Sequence, residues 1–245
     1  MNQRLLEHYT AEEVKFALTQ TFPFKSPGSD GMPPVFYQRF WYIVGRSTTD
    51  CVLNLLNNQS FSPDLNFTHI VLIRKCNKPK NIIQFRLISL CNVVFKLATK
   101  IIANRLKPLL HHTISPSQSA FIPGRLITDN VLIDFEANHY LKSMRGGRAG
   151  SVAVKLDMSK AYDRLEWSFL ERMLSRLGFH HRVITLIMNC VSNVSYSFML
   201  NGSQFDFLRL GRGIHQSDPL SPYLFIRCAE DLSCLLQAEE REGDI

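Results

Sequence analysis

The run SVAVKLD, Ser151 to Asp157, leads directly into MSKAYDRLEW, and this junction constrains the chain more than any other. Val152, Val154 and Leu156 alternate with smaller or polar residues, the period-two pattern of a half-buried strand. Asp157 is thereby expected at a strand end. Ser168 and Glu171 have the spacing of a capping box, and SFLERMLSRLGF keeps its apolar residues on one face as far as Gly178, a good helix stop. The unit reads as strand, turn and helix. A carboxylate aimed off a strand end suits metal-assisted phosphoryl transfer. The structural alternative makes Asp157 and Asp163 turn or cap residues.

Other segments carry their own local signals. KSPGSDGMP, Lys25 to Pro33, is a Pro and Gly cluster that predicts a tight turn. HIVLIRK (His69 to Lys75) and FRLISL (Phe85 to Leu90) are β-rich runs joined by polar residues, and they predict a hairpin. VVFKLATKIIANRLKPLL, Val93 to Leu110, predicts an amphipathic helix whose Lys96, Lys100, Arg105 and Lys107 form a solvated basic side. Thr128 and Asp129 are candidate caps for a helix through VLIDFEANHYLKSM, and Arg145 to Gly150 reads as a mobile basic loop. VSYSFML, then Asn201-Gly202, then QFDFLRL predicts a second hairpin. Asp218-Pro219 within RGIHQSDPLSPYLF reads as a helix start, and Glu230-Asp231 as part of a solvated helix face.

Together these strings resemble the reverse transcriptase domain of a plant LINE-type (non-LTR) retrotransposon, over nearly the whole chain. DMSKAYDRLEW is similar to the family's DxSKAYDxVEW, IRK and FRLISL to LIPK and FRPISL, SPSQSAFIPGRLITDN to ISPxQSAFxPGRxIxDN, and RGIHQSDPLSPYLF to RGLRQGDPLSPYLF. The resemblance implies an α+β fold, the fingers and partial palm of a right-hand polymerase without its thumb. Residues 1–150 would form an N-terminal extension and fingers, and 151–245 a partial palm. It implies that Asp157 binds the catalytic metal, Mg²⁺ or Mn²⁺, and that Tyr162 gates against the 2′-hydroxyl. Lys75 and Arg86 would contact the triphosphate, a point charge and a bidentate fork suited to phosphate. Arg125 and Gln216 would lie near the incoming nucleotide and Gln118 near the template. The implied partners are an RNA template, a DNA primer and deoxynucleoside triphosphates.

The chain departs from the family pattern in several places. Arg74 and Leu87 replace prolines, which restores backbone donors and would let strand register drift. His215 replaces an arginine, and Ser217 replaces a glycine, at a cost of about 1 kcal/mol if the backbone there has positive φ. Nowhere do two aspartates stand side by side. The family's paired-aspartate ADD motif, which would follow Ile245, is therefore missing from this sequence, and one carboxylate cannot hold two metal ions roughly 3.5–4 Å apart. The expectation is a polymerase fragment truncated before that motif and inactive by itself.

Composition fits a phosphate-tracking surface, with Lys plus Arg 28 against Asp plus Glu 21, a net charge of +7 and a pI near 9.2. No apolar run approaches the ~18 residues of a membrane span, and no signal sequence follows Met1, so a soluble intracellular protein is expected, with the nucleus as the family's site of action. The six scattered cysteines include no C-x-x-C pair and predict reduced thiols. Two other readings stand beside a polymerase fragment. One is a nucleic-acid-binding relic of a retroelement without catalysis, the other an unfolded pseudogene product.

Overall fold

The computed structural model describes residues 2–62, 65–144, 152–200 and 203–243. The architecture is mixed α and β, with one four-stranded sheet and helices on either side of it in the chain. Two N-terminal helices, α1 (Asn2–Leu6) and α2 (Ala11–Thr19), precede α3 (Pro34–Arg39) and α4 (Trp41–Asn58). Thr10 starts α2 with a complete capping box, its side chain accepting from the Glu13 amide while the Glu13 side chain returns to the Thr10 amide. The KSPGSDG turn forms as expected: Gly31 donates to the Gly28 carbonyl and has φ 68°, while Met32 donates to the Asp30 carboxylate. Gly28 is required for a different reason. A Cβ there would lie 2.2–2.6 Å from Asn92, so only glycine lets this turn rest on the N-cap of the helix that begins at Val93.

The first predicted hairpin is β1 (Phe67–Arg74) against β2 (Phe85–Cys91), paired antiparallel from Thr68↔Cys91 to Arg74↔Phe85. Despite Arg74 and Leu87 in place of prolines, no register shift interrupts this ladder, which corrects the expected drift. The second hairpin, β3 (Ser195–Leu200) and β4 (Ser203–Leu208), is also antiparallel, and β3 lies parallel to β1, giving the order β2-β1-β3-β4. The Asn201-Gly202 turn and the basic loop 145–150 lie outside the described residues.

Between the hairpins run α5 (Val93–Leu106), a short 3₁₀ turn, α6 (Leu110–Thr113), α7 (Ile127–Ser143), α8 (Trp167–Arg176) and α9 (His181–Ser192), and α10 (Ser221–Glu242) closes the order. Helix α5 is the centre of the core: Phe95, Leu97, Ala98, Ile101, Ile102 and Leu106 are buried against α2, α4 and α1. Its basic side is not simply solvated, as predicted. Lys96 and Arg105 are buried, because α1, α2 and the KSPGSDG turn cover that face. Arg105 makes a bidentate pair with Glu13 at 2.7 and 2.8 Å, donates to the carbonyls of Arg4, Glu7 and His8, and stacks 3.7 Å from the Tyr9 ring centroid.

Several predicted boundaries move. Helix α8 begins at Trp167 with Glu166 at its N-cap, so Ser168 lies inside the first turn and forms no capping box. Helix α7 starts after Leu126, which places Thr128 and Asp129 within its first turn rather than at the cap. Helix α10 starts at Ser221 with Pro222 in its first turn, so Asp218-Pro219 belongs to the preceding loop. Glu230 is buried, not solvated, and accepts from the Ser115 amide at 2.9 Å and from its hydroxyl.

The largest departure concerns residues 152–158, which form no strand. Val152, Val154 and Leu156 are 83%, 74% and 62% exposed. The alternation is real, but a strand exists only through pairing, and this segment pairs with neither sheet edge. Helix α7 is similarly uncovered, with no buried residue. All six cysteines are free; Cys91, Cys190 and Cys228 are buried, and Cys76 and Cys234 are exposed. Among the described residues no helix is long and apolar enough to cross a membrane.

Replacing Arg105 by Ala would strand the Glu13 carboxylate and several buried carbonyls, so a loss of about 3 kcal/mol in urea unfolding is expected. Lys at the same position would recover only part of it, because an ammonium cannot reproduce the fork.

Candidate active site

Two loops form the site, and backbone hydrogen bonds join them. Gly213 donates to the Leu165 carbonyl at 2.7 Å and Ile214 to the Tyr162 carbonyl at 3.0 Å. Trp167 donates its indole N–H to the Gly213 carbonyl at 2.7 Å, and Arg212 reaches Glu166 at 3.2 Å. Gly213 has φ 93°, and a Cβ there would meet the Tyr162 and Asp163 backbone at 3.2–3.3 Å, so the loops can approach this closely only over a glycine. Gln216 completes the stitch by donating its amide to Asp163 Oδ1 at 3.2 Å.

Of the residues singled out in the sequence, Tyr162 and Gln216 thus stand on loops that are hydrogen-bonded to each other. The half-buried Tyr162 ring leans on Phe225 at 5.2 Å between centroids, and burial raises the phenol pKa. Asp157 stands on the exposed segment 152–158 rather than at the end of a paired strand. Lys75 and Arg86 share the end of the β1–β2 hairpin. Arg86 faces Ile73 across the ladder, and Lys75 is two residues beyond Ile73, so both project from one face. Both are exposed, and Lys75 Nζ donates to the Ile83 carbonyl at 3.0 Å. Among the described residues no hydrogen bond or ion pair links this hairpin end to Asp157, Tyr162 or Gln216. Arg125 and Gln118 organise their own loop: the Arg125 guanidinium donates to the carbonyls of Ser115 and Gln118, and Gln118 Oε1 accepts from the Ala120 amide.

Three features escaped the sequence reading. The first is His215, which is 3% exposed in a cage of Phe95, Tyr196 and Cys91. One ring nitrogen faces the Tyr196 hydroxyl at 3.2 Å and the other the Cys91 sulfur at 3.5 Å. Burial lowers its pKa to about 4. The second is Asp218, also fully buried, whose carboxyl is raised by burial to about 6, although the Thr99 hydroxyl, the Leu220 amide and Lys96 favour its ionised form. The third is a cavity of about 320 Å³ lined by Lys25, Lys96, Lys100, Tyr162, Ser217 and Asp218 among others. The lysines at 96 and 100 are one helical turn apart, a spacing visible in the sequence but indistinguishable there from an ordinary solvated face.

Ser217 has φ 82°, the left-handed conformation that the glycine in the family motif allows without cost.

A reverse transcriptase model, described as "Reverse transcriptase (RNA-dependent DNA polymerase)", matches residues 75–242, which include both stitched loops. The chain belongs to the reverse transcriptase family. It is 30% identical to the Transposon TX1 uncharacterized 149 kDa protein of Xenopus laevis over 96% of its own length, and 30% identical over 93% to the Pol polyprotein from a type-1 retrotransposable element R2 of Popillia japonica. It spans 18% and 30% of those relatives, so it corresponds to one region of much longer proteins. A 46-residue stretch is 46% identical to an uncharacterized mitochondrial protein of Arabidopsis thaliana, covering 19% of this chain and 38% of that protein. The domain is thus a reverse transcriptase domain homologous to non-LTR retrotransposon proteins.

Reverse transcriptases use divalent metal ions. Among the described residues, however, no group of three or more His, Cys, Asp or Glu side chains is arranged to hold one. Asp157 is exposed and Asp163 is engaged by Gln216, so these donors do not by themselves make a two-metal centre.

Ser217→Gly should stabilise the fold by about 1 kcal/mol, and Ser217→Val should destabilise it by more, both read from urea midpoints. The titrations of His215 and Asp218 oppose each other. Relative to ordinary values of 6.5 and 3.8, the native chain resists protonating His215 until about pH 4 but keeps Asp218 protonated up to about pH 6. Acid therefore removes stability through His215 and adds it through Asp218. Asp218→Asn should make the chain lose stability as pH falls from 6.5 to 4, and His215→Gln should reverse that slope relative to Asp218→Asn. Each effect is on the order of 3 kcal/mol at its limit, measurable by urea unfolding across that range.

Proposed function

We propose that this domain derives from the RNA-directed DNA polymerase of a plant LINE-type element, with residues 1–150 acting as N-terminal extension and fingers and 151–245 as part of the palm. In this reading Tyr162 gates the sugar, and Gln216 positions the incoming nucleotide. Lys75 and Arg86 contact its triphosphate, with Arg125 near the nucleotide and Gln118 near the template. Asp157 is a metal ligand for Mg²⁺ or Mn²⁺. The observation that carries the reading is the stitching of the SKAYDRLEW loop, which bears Tyr162, to the RGIHQSD loop, which bears Gln216. Side chains that must touch one nucleotide need such a shared, rigid support. The shared face of Lys75 and Arg86 supports the phosphate role, because two cations on adjacent strands can follow one polyphosphate.

The scattered carboxylates favour binding over catalysis in this chain taken alone. Purified chain is expected to retain single-stranded RNA at low salt and release it as salt rises, while giving no primer extension in Mg²⁺ or Mn²⁺. The combined Lys75→Ala and Arg86→Ala substitution should weaken binding of a nucleoside triphosphate about tenfold. Extension that disappears in Asp157→Asn would overturn the non-catalytic reading. A folded chain that binds neither RNA nor nucleotide at low salt would remove the nucleotide and template contacts proposed above.

A further inference from the structure

The segment 152–158 forms no strand, yet it has the side-chain pattern of one. Val152, Val154, Leu156 and Met158 take alternate positions and are 83%, 74%, 62% and 48% exposed. Ala153, Lys155, Asp157 and Ser159 take the positions between them and are exposed as well. In a paired strand successive side chains point to opposite faces, so this segment, once paired, would have one wholly apolar face and one face bearing a single cation and a single anion. It pairs with no strand of the described sheet, and among the described residues neither Lys155 nor Asp157 is in an ion pair. An unpaired backbone of this kind is a template for another strand.

The order of its charges fits a second copy of the same segment. Residues directly opposite each other in an antiparallel pair share a face. With a two-fold axis at Leu156, Lys155 stands opposite Asp157 of the second copy on both sides of the axis, Leu156 meets Leu156, and Val154 meets Met158. Moving the axis one residue either way sets Lys155 or Asp157 against itself, and an axis between two residues sets apolar side chains opposite polar ones. The charges thus select one register. A two-stranded ribbon this short also needs its apolar face covered. Helix α7 has an uncovered side of Ile127, Val131, Leu132 and Phe135, all exposed, and it ends nine residues before Val152, within about 30 Å along the chain. We propose that two copies of this chain form a symmetric dimer through residues 153–159, paired antiparallel about Leu156, with α7 of each copy over the apolar face. This goes beyond the polymerase-derived reading and does not rest on it.

Sedimentation velocity of the full chain, from micromolar to submillimolar concentration, tests the dimer, and circular dichroism establishes that each variant is folded. The parent chain should pass from monomer to dimer and no further. Lys155→Asp and Asp157→Lys should each weaken the dimer about tenfold, because each turns two attractive cross-strand pairs into two repulsive ones, and the two substitutions together should restore the parent affinity. Val131→Ser with Phe135→Ser should also weaken it about tenfold. In a chain carrying Cys76→Ser and Cys234→Ser, Leu156→Cys should give a covalent dimer on oxidation with diamide, and Val152→Cys should not, because only the residue on the axis meets itself within disulfide reach. A chain that stays monomeric at every concentration overturns the proposal, as does association that continues beyond two copies. A dimer indifferent to charge reversal, or cross-linked equally from positions 152 and 156, overturns the pairing about Leu156, and one indifferent to the α7 substitutions overturns the helix cover. Each of these failures leaves the nucleotide and template contacts proposed above standing.

Discussion

The Arg105 guanidinium is the contact on which the rest depends. It lies on the central helix yet holds Glu13 at the start of α2 and the carbonyls of Arg4, Glu7 and His8 at the end of α1. A buried cation of this kind is tolerable only when nearly every donor is matched, and the planar fork allows that match where an ammonium would not. By fixing α1 and α2 on α5, it also fixes the N-terminal side of the core. The KSPGSDG turn adds a second clamp, because Gly28 sits directly on Asn92 at the head of the same helix. The N-terminal segment is therefore part of the site's framework rather than an appendage.

Much of this fold was legible in the sequence because its signals are local. Alternation marked both hairpins, helical periodicity marked α5, and Gly178 marked the end of α8. The conformation of Ser217 was legible too, since a side chain in place of a motif glycine has a specific backbone consequence. Burial of charge was not. Lys96, Arg105 and Glu230 look like solvated residues until their partners, distant in sequence, arrive at Ser26, Glu13 and Ser115. The strand before Asp157 failed for a related reason. Val152, Val154 and Leu156 have strand character, but character becomes structure only beside another strand, and none of the described strands is there.

His215 shows how the chain accommodates its departures from the family pattern. A permanently charged arginine would need several donors satisfied in the space between Phe95, Tyr196 and Cys91. An imidazole held neutral needs only two weak partners, and it finds them in the tyrosine hydroxyl and the thiol. Three residues further on, Asp218 is buried with its charge form disfavoured, beside Thr99 and Lys96. The loop that supports Gln216 is thus fastened on one side by a neutral imidazole and on the other by a buried carboxyl that the Thr99 hydroxyl, the Leu220 amide and Lys96 attend.

The distribution of the cysteines has a chemical consequence. Burial pushes the thiols of Cys51, Cys91, Cys190 and Cys228 away from ionisation, that of Cys91 to about 11 and that of Cys228 to about 12, so none is a ready nucleophile. Cys76 and Cys234 remain in solvent. Cys76 directly follows Lys75 in the connection between β1 and β2, so an electrophilic dye would attach beside the proposed triphosphate clamp as well as at Cys234 on α10. The protein carries two reporter positions, and the buried thiols stay chemically silent while they are read.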